Sequence, residues 1–162
     1  KELAEALDSL NSDGLKIRFI QVGSSCGHAG PLKDRDDVSI VETLSPGFTT
    51  AVLENSDVSF IADVRSTFAY TPYMPSKFVY QLFSSKPIVL LTRKGSPMFK
   101  VYQAHKDAGL FFADYEHPGS LSGAIEQALR ASQPFQGRTS ACNWFTRKSV
   151  ADGFVRFVQQ LI

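Results

Sequence analysis

The chain has 162 residues, 43% hydrophobic and 20% charged. That length and mixture fit one globular domain over 1–162 and exclude disordered, collagen-like and low-complexity classes. Seventeen Lys and Arg oppose sixteen Asp and Glu for a formal net charge of +1, so no strong field draws the chain onto a nucleic acid or an anionic membrane.

Leu3, Ala6, Leu7 and Leu10 recur at helical spacing within Glu2–Asn11, and Asp13-Gly14 stops the helix. LKIRFIQV (Leu15–Val22) is a β-rich strand. Gly23–Asp37 holds three glycines, a proline and five charged residues and reads as a long surface loop. VSIVE (Val38–Glu42) is a short buried strand, and Ser45-Pro46 opens a helix that runs to about Asn55. VSFIA (Val58–Ala62) is the third strand. A loop rich in proline and tyrosine follows over Asp63–Met74. Pro75-Ser76 opens another helix through about Ser85, and PIVLLT is the fourth strand. Ser96-Pro97 starts a helix ending near Ala108-Gly109, and LFFAD (Leu110–Asp114) is the fifth strand. Pro118 to about Ala131 is a helix, Gln133–Ala141 a loop, and Trp144–Ile162 a last helix on Phe145, Val150, Phe154, Phe157, Val158 and Leu161. Phe111, Phe112, Phe154 and Phe157 read as core, and Trp144 as the anchor of that helix.

Short apolar strands alternating with helices predict an α/β fold: a Rossmann-like, doubly wound, mostly parallel sheet with helices on both faces. The opening helix is unusual, because such domains normally begin with a strand. In such sheets ligands bind beyond the carboxyl ends of the strands. Those ends are Gly23–Ser25, Glu42–Ser45, Asp63–Lys77, Thr92–Ser96 and Asp114–His117.

Several motifs there carry chemistry. GSSCGHAG has glycines at 23, 27 and 30, the wrong spacing for a dinucleotide fingerprint. GSSCG matches G-x-S-x-G around Ser25, but no helix start follows to expose a nucleophile, although His105 or His117 could partner it. Cys26 and His28 lack a second ligand pair, so no metal site is expected. Cys26 and Cys142 form no disulfide framework and fit a reducing compartment. Pro75-Ser76-Lys77 is the most informative: free N–H groups and a lysine at a helix start suit a diphosphate, against a plain solvated lysine. Asp63, with Arg65 after it, reads as a ligand acid or a turn former. Thr92–Ser96 reads first as a polar turn and second as an anion contact. Phe68, Tyr70 and Tyr73 could stack on a base or pack on the sheet edge. The start KELAEALDSL is polar and amphipathic, and PIVLL at Pro87–Leu91 is far short of a membrane span. Neither a secretory leader nor a membrane helix is expected.

Three pieces in order carry a family likeness: SDVSFIAD before the Pro-rich loop, PSKFVYQLFSSKPIVLL followed by KGSP, and AGLFFADYEHPGSLSGAIEQAL. Together they resemble the C-terminal, donor-binding half of GT-B glycosyltransferases such as family 4. LAEALDSL and LKIRFIQVG are similar to that half's helix and second strand. The resemblance implies a retaining transferase of UDP- or GDP-type sugars, with no cofactor and no metal in the chemistry. Its acceptor would be a glycan or lipid-linked molecule in polysaccharide biosynthesis. The acceptor domain and first strand would lie ahead of Lys1. The setting would be cytoplasmic, with peripheral association of the intact enzyme at the inner membrane face, and this part alone would be inactive. Base and ribose would lie at Val41, Glu42, Thr43 and Leu44. Diphosphate and sugar would face Asp63, Arg65, Ser76 and Lys77. The chain departs from the family where an acid binds the ribose: it has Tyr80, then Gln81, with Pro72 where a glutamate stands eight positions earlier. A tyrosine cannot accept two hydroxyls as a carboxylate does. The alternatives are a non-catalytic nucleotide- or phosphate-binding α/β module and a degenerate interaction domain.

Overall fold

A computed structural model describes residues 1–23, 30–42, 44–63, 74–117 and 119–159, leaving aside the side chains of 153, 154 and 156–158. The strands are β1 (Phe19–Val22), β2 (Val38–Val41), β3 (Ser59–Ala62), β4 (Ile88–Thr92) and β5 (Leu110–Asp114). The helices are α1 (Glu2–Ser12), α2 (Pro46–Glu54), α3 (Ser76–Leu82), α4 (Pro97–Ala104), α5 (Ser120–Arg130), α6 (Arg138–Asn143) and α7 (Arg147–Gln159). Every strand pair is parallel. The fold is α/β, as the alternation of short apolar runs and helices predicts. Its strands divide into a two-stranded sheet, β1-β2, and a three-stranded sheet, β3-β4-β5.

β4 is buried at all five positions, as a parallel strand covered on both faces must be. One face of the three-stranded sheet packs Ile61, Ile88 and Leu90 against Phe78 and Leu82 of α3, Met98 and Val101 of α4, and Ala141 of α6. The other packs Val89, Leu91 and Ala113 against Ala6 and Leu10 of α1 and Leu121, Ala124, Ile125 and Ala128 of α5. The alternation along β4 sends successive side chains to opposite faces, so both helix layers are served by one apolar run.

Several boundaries differ from the sequence reading. β1 begins at Phe19 rather than Leu15, because the Ile17 N–H donates to Asn11 Oδ1 at 2.8 Å instead of to a strand. The expected loop over Gln133–Ala141 contains the start of α6, and the expected single tail helix is two. They break at Trp144–Thr146, where Thr146 Oγ1 accepts the Ser149 N–H at 3.2 Å and caps α7. Trp144 is 49% exposed rather than an interior anchor, and it meets the His105 ring edge-on at 4.6 Å. Phe111 and Phe112 are half-buried, with Phe112 against Phe99 and Tyr102. The Phe154, Phe157 and Val158 side chains and Leu161 lie outside the described residues. No helix among the described residues is long and apolar enough to cross a membrane.

Arg138 locks the amino-terminal side of the sheet. Its guanidinium donates to the carbonyls of Ala108 (2.6 Å), Lys86 (2.8 Å), Ser84 (3.3 Å) and Gly109 (3.5 Å). It also lies over the Phe135 ring at 5.3 Å. Burial pushes this guanidinium down to about 10. The positive φ of Gly109 (+69°) lets the chain turn from the 3-10 segment Lys106–Ala108 into β5.

Candidate functional site

Parallel pairing aligns the carboxyl ends of β3, β4 and β5. Ala62 is level with Leu91, and Thr92 with Asp114. The Asp63 N–H donates to the Leu91 carbonyl at 2.9 Å and carries Asp63 one step beyond the strand. The result is a row of polar side chains above an apolar sheet: Asp63 (6% exposed), Thr92 (0%) and Asp114 (6%).

A hydrogen-bonded chain runs along this row. Thr92 Oγ1 lies 3.0 Å from Asp63 Oδ2 and 2.7 Å from Ser96 Oγ. A threonine has one hydroxyl hydrogen and a carboxylate oxygen only accepts. Thr92 therefore donates to Asp63, and Ser96 donates to Thr92. Ser96 in turn accepts the Phe99 N–H at 3.1 Å as the N-cap of α4. The chain ties the amino end of α4 to Asp63 through two buried hydroxyls. The segment Thr92–Ser96 thus forms a polar, capped turn that carries exposed Lys94. Tyr115 adds a second tie, its hydroxyl donating to the Asp63 carbonyl at 2.6 Å.

At the end of β5, Asp114 Oδ1 accepts the Glu116 N–H at 3.1 Å, and Oδ2 lies 3.1 Å from His117 Nδ1 and 3.9 Å from Lys94 Nζ. Ser120 Oγ accepts the Asp114 N–H at 3.0 Å and donates to the Asp114 carbonyl at 2.9 Å. The carboxylate is held while His117 and Lys94 stay exposed. The strand-end rule already names Asp114–His117 as candidate site, and His117 was weighed only as a partner for Ser25; neither Asp114 nor His117 was given a binding role.

α3 supplies the other wall. Gln81, near its end, accepts a hydrogen bond from Ser59 Oγ at the start of β3. The helix therefore runs down the sheet, and its first turn, with exposed Ser76 and Lys77, sits at the Asp63 end. Buried Phe78 and Leu82 fix this orientation. Pro75 occupies the N-cap position and no side chain caps the helix, so Ser76 is the first helical residue rather than a cap. Proline has no N–H of its own to offer there.

The other expected residues divide. Tyr80 is half exposed, and its hydroxyl pairs with Thr50 Oγ1 of α2. Gln81 points to the foot of β3, away from Asp63. Val41, Glu42 and Leu44 close the two-stranded sheet at its carboxyl end, with Glu42 exposed. Ser25, Cys26, His28, Thr43, Arg65, Phe68, Tyr70, Pro72 and Tyr73 lie outside the described residues. His105, weighed as a partner for Ser25, is buried at the end of α4 remote from Ser96. Among the described residues no three of His, Cys, Asp and Glu converge as a metal site requires. Cys142 is held as a thiol by burial, which pushes its pKa up, and it donates to the Leu82 carbonyl at 3.1 Å.

The arrangement can hold an anionic, hydroxyl-bearing ligand: fixed acceptors at Asp63 and Asp114, cations at Lys77 and Lys94, and backbone N–H groups at the start of α3. Comparison of the chain with protein-family models, with curated proteins and with solved structures finds no match.

Proposed function

We propose that this domain binds the nucleoside diphosphate sugar of a retaining glycosyltransferase and that its sugar is passed to a glycan or lipid-linked acceptor. What supports the reading is exposed Lys77 in the first turn of α3 together with buried Asp63 one step past the end of β3. A nucleoside diphosphate leaving group gains negative charge as the glycosidic bond breaks. Fixed donors in place before that step stabilise it without reorganising. Lys77 and the N–H groups of Ser76 and Lys77 take that role, with Asp63 facing the sugar hydroxyls. The resemblance in order of PSKFVYQLFSSKPIVLL and AGLFFADYEHPGSL supports the same assignment. The sugar type, the base and the setting in polysaccharide synthesis rest on that resemblance alone.

A second reading has one observation in its favour. Tyr80 replaces the family's ribose-binding acid and is already paired with Thr50, and Gln81 is paired with Ser59. A ribose contact at Tyr80 would have to compete with that bond. This favours a nucleotide- or phosphate-binding module without transfer chemistry.

Calorimetry with UDP, GDP and ADP separates the readings. Binding of one diphosphate, weakened by about 1–3 kcal/mol in Lys77→Ala through loss of a charge-assisted contact, is the expected result. Binding of all three alike points to the phosphate module. No binding, or an affinity untouched by Lys77→Ala, removes the nucleotide site.

A further inference from the structure

β5 ends in a turn that is held from both sides. The His117 N–H donates to the Asp114 carbonyl at 3.1 Å, and the Ser120 N–H donates to the His117 carbonyl at 3.1 Å. Gly119, at φ +80°, carries the chain from this turn into α5. Tyr115 ties the same turn to the Asp63 carbonyl. Ser120 Oγ is engaged with the Asp114 backbone in both directions, as donor and as acceptor.

The two oxygens of the buried Asp114 carboxylate are divided. Oδ1 accepts the Glu116 N–H, and Oδ2 faces His117 Nδ1 at 3.1 Å. A carboxylate oxygen only accepts, so the neutral ring carries its hydrogen on Nδ1. An imidazole free in water prefers that hydrogen on Nε2, and the buried carboxylate reverses the preference. The lone pair is then on Nε2. The ring is 64% exposed, at the carboxyl end of the sheet, where parallel sheets bind ligands.

The charged groups around the ring are Lys94, Glu116 and Arg93. Lys94 Nζ lies 3.9 Å from Asp114 Oδ2, and the Glu116 carboxylate lies 3.9 Å from Arg93 Nε. Asp114 is buried while Lys94 is exposed, so the cation that a ligand meets beside the ring is Lys94.

We propose that His117 is a general base with which this end of β5 hydrolyses small anionic esters. Asp114 is its positioning residue, and Lys94 meets the negative charge of the substrate. The nucleotide reading gives His117 no role, and the two stand apart. An ester suits a single oriented base, because its carbonyl carbon takes water directly and its alcohol leaves with one returned proton. Ser120 is committed to the Asp114 backbone, so the nucleophile is water. Nε2 takes one proton from water as the water oxygen bonds to the carbonyl carbon. The tetrahedral intermediate then expels the alcohol oxygen with the electron pair of the broken C–O bond, and the imidazolium gives its proton to that oxygen. Between the two steps Asp114 stabilises the imidazolium and stays ionised.

Hydrolysis of mono-para-nitrophenyl succinate by the chain, followed as nitrophenolate release, reads the activity. The expected result is a rate above buffer that slows in heavy water and falls about tenfold or more in His117→Gln. Lys94→Ala should raise KM for this ester about threefold. Asp114→Asn should lower kcat and leave KM nearly unchanged. Nitrogen NMR of the unaltered chain tests the pair without touching a buried residue: the neutral His117 ring, identified by its loss from the His117→Gln spectrum, should carry its hydrogen on Nδ1. A hydrogen on Nε2, hydrolysis no faster than buffer, a rate unchanged in His117→Gln or equal rates in light and heavy water overturns the proposal.

Discussion

Replacing Arg138 by methionine keeps an unbranched apolar stem, though a shorter one, and removes the fork that joins three segments. The guanidinium serves Ser84 and Lys86 ahead of β4, and Ala108 and Gly109 ahead of β5. Only the contacts to Ala108 and Lys86 are short, at 2.6 and 2.8 Å, so two strong charge-assisted bonds carry most of the effect. Each contributes about 1.5–3 kcal/mol. Against that stands the desolvation that pushes the guanidinium down to about 10, a cost the methionine variant escapes. The balance is a loss of about 2–4 kcal/mol, because carbonyls that lose the cation stay half-buried. Urea unfolding at neutral pH measures it, and thermal melting should fall by roughly 5–15 °C for a domain of this size. Arg138→Lys should fall between, since an ammonium can reach fewer of the four carbonyls. A methionine variant within about 0.5 kcal/mol of the parent would refute the reasoning and make Arg138 a spectator.

Gly109→Ala should destabilise by about 2–4 kcal/mol, since a Cβ at φ +69° strains the backbone and would lie 2.4 Å from the Phe135 ring. The double variant with Phe135→Ala should recover part of that loss in thermal melts, and no recovery would place the whole effect in the backbone. Asp37 is held below its ordinary value, first by its hydrogen bonds to Arg35 and then by the charge of Arg35. A depressed carboxyl contributes stability that is complete above the unfolded value near 3.8 and is lost as pH falls through the folded value. The acid limb of a stability profile should therefore flatten in Asp37→Asn, and an unchanged acid limb would disprove the linkage.

The five strands were legible because each is a short apolar run bounded by turn residues, and β4 needed no more than PIVLLT. The helix start at Ser96 was legible too, since Ser-Pro is a cap followed by a residue that suits the first turn. At Pro75-Ser76 the same pair in reverse order also marked the helix, with Pro75 standing at the N-cap. α6 escaped notice for a physical reason. Six residues, RTSACN, are too few to show a period, and their helix rests on buried Ala141 and on the contacts of Arg138. Nothing in the sequence marks Arg138 as different from a solvated arginine. Lys77 was placed at a helix start by pattern, and it stands in the first turn of α3. Tyr80 and Gln81 belonged to the same pattern, but their hydrogen bonds lead to α2 and to the foot of β3.

The two ends of the strands do different work. At the amino end, one cation gathers carbonyls from several segments, so the chemistry there is cohesion. At the carboxyl end, Ser96, Thr92 and Asp63 pass hydrogen bonds from the start of α4 to a carboxylate, while Lys77, Lys94 and His117 remain exposed. Buried hydroxyls that each donate once fix the direction of every proton in the chain, so Asp63 is oriented before any ligand arrives. Asp114 is likewise held, with the exposed Lys94 and His117 beside it. On the proposed function, that asymmetry is what a donor site asks for: a fixed acceptor to align the sugar and exposed cations to grip and later release the diphosphate.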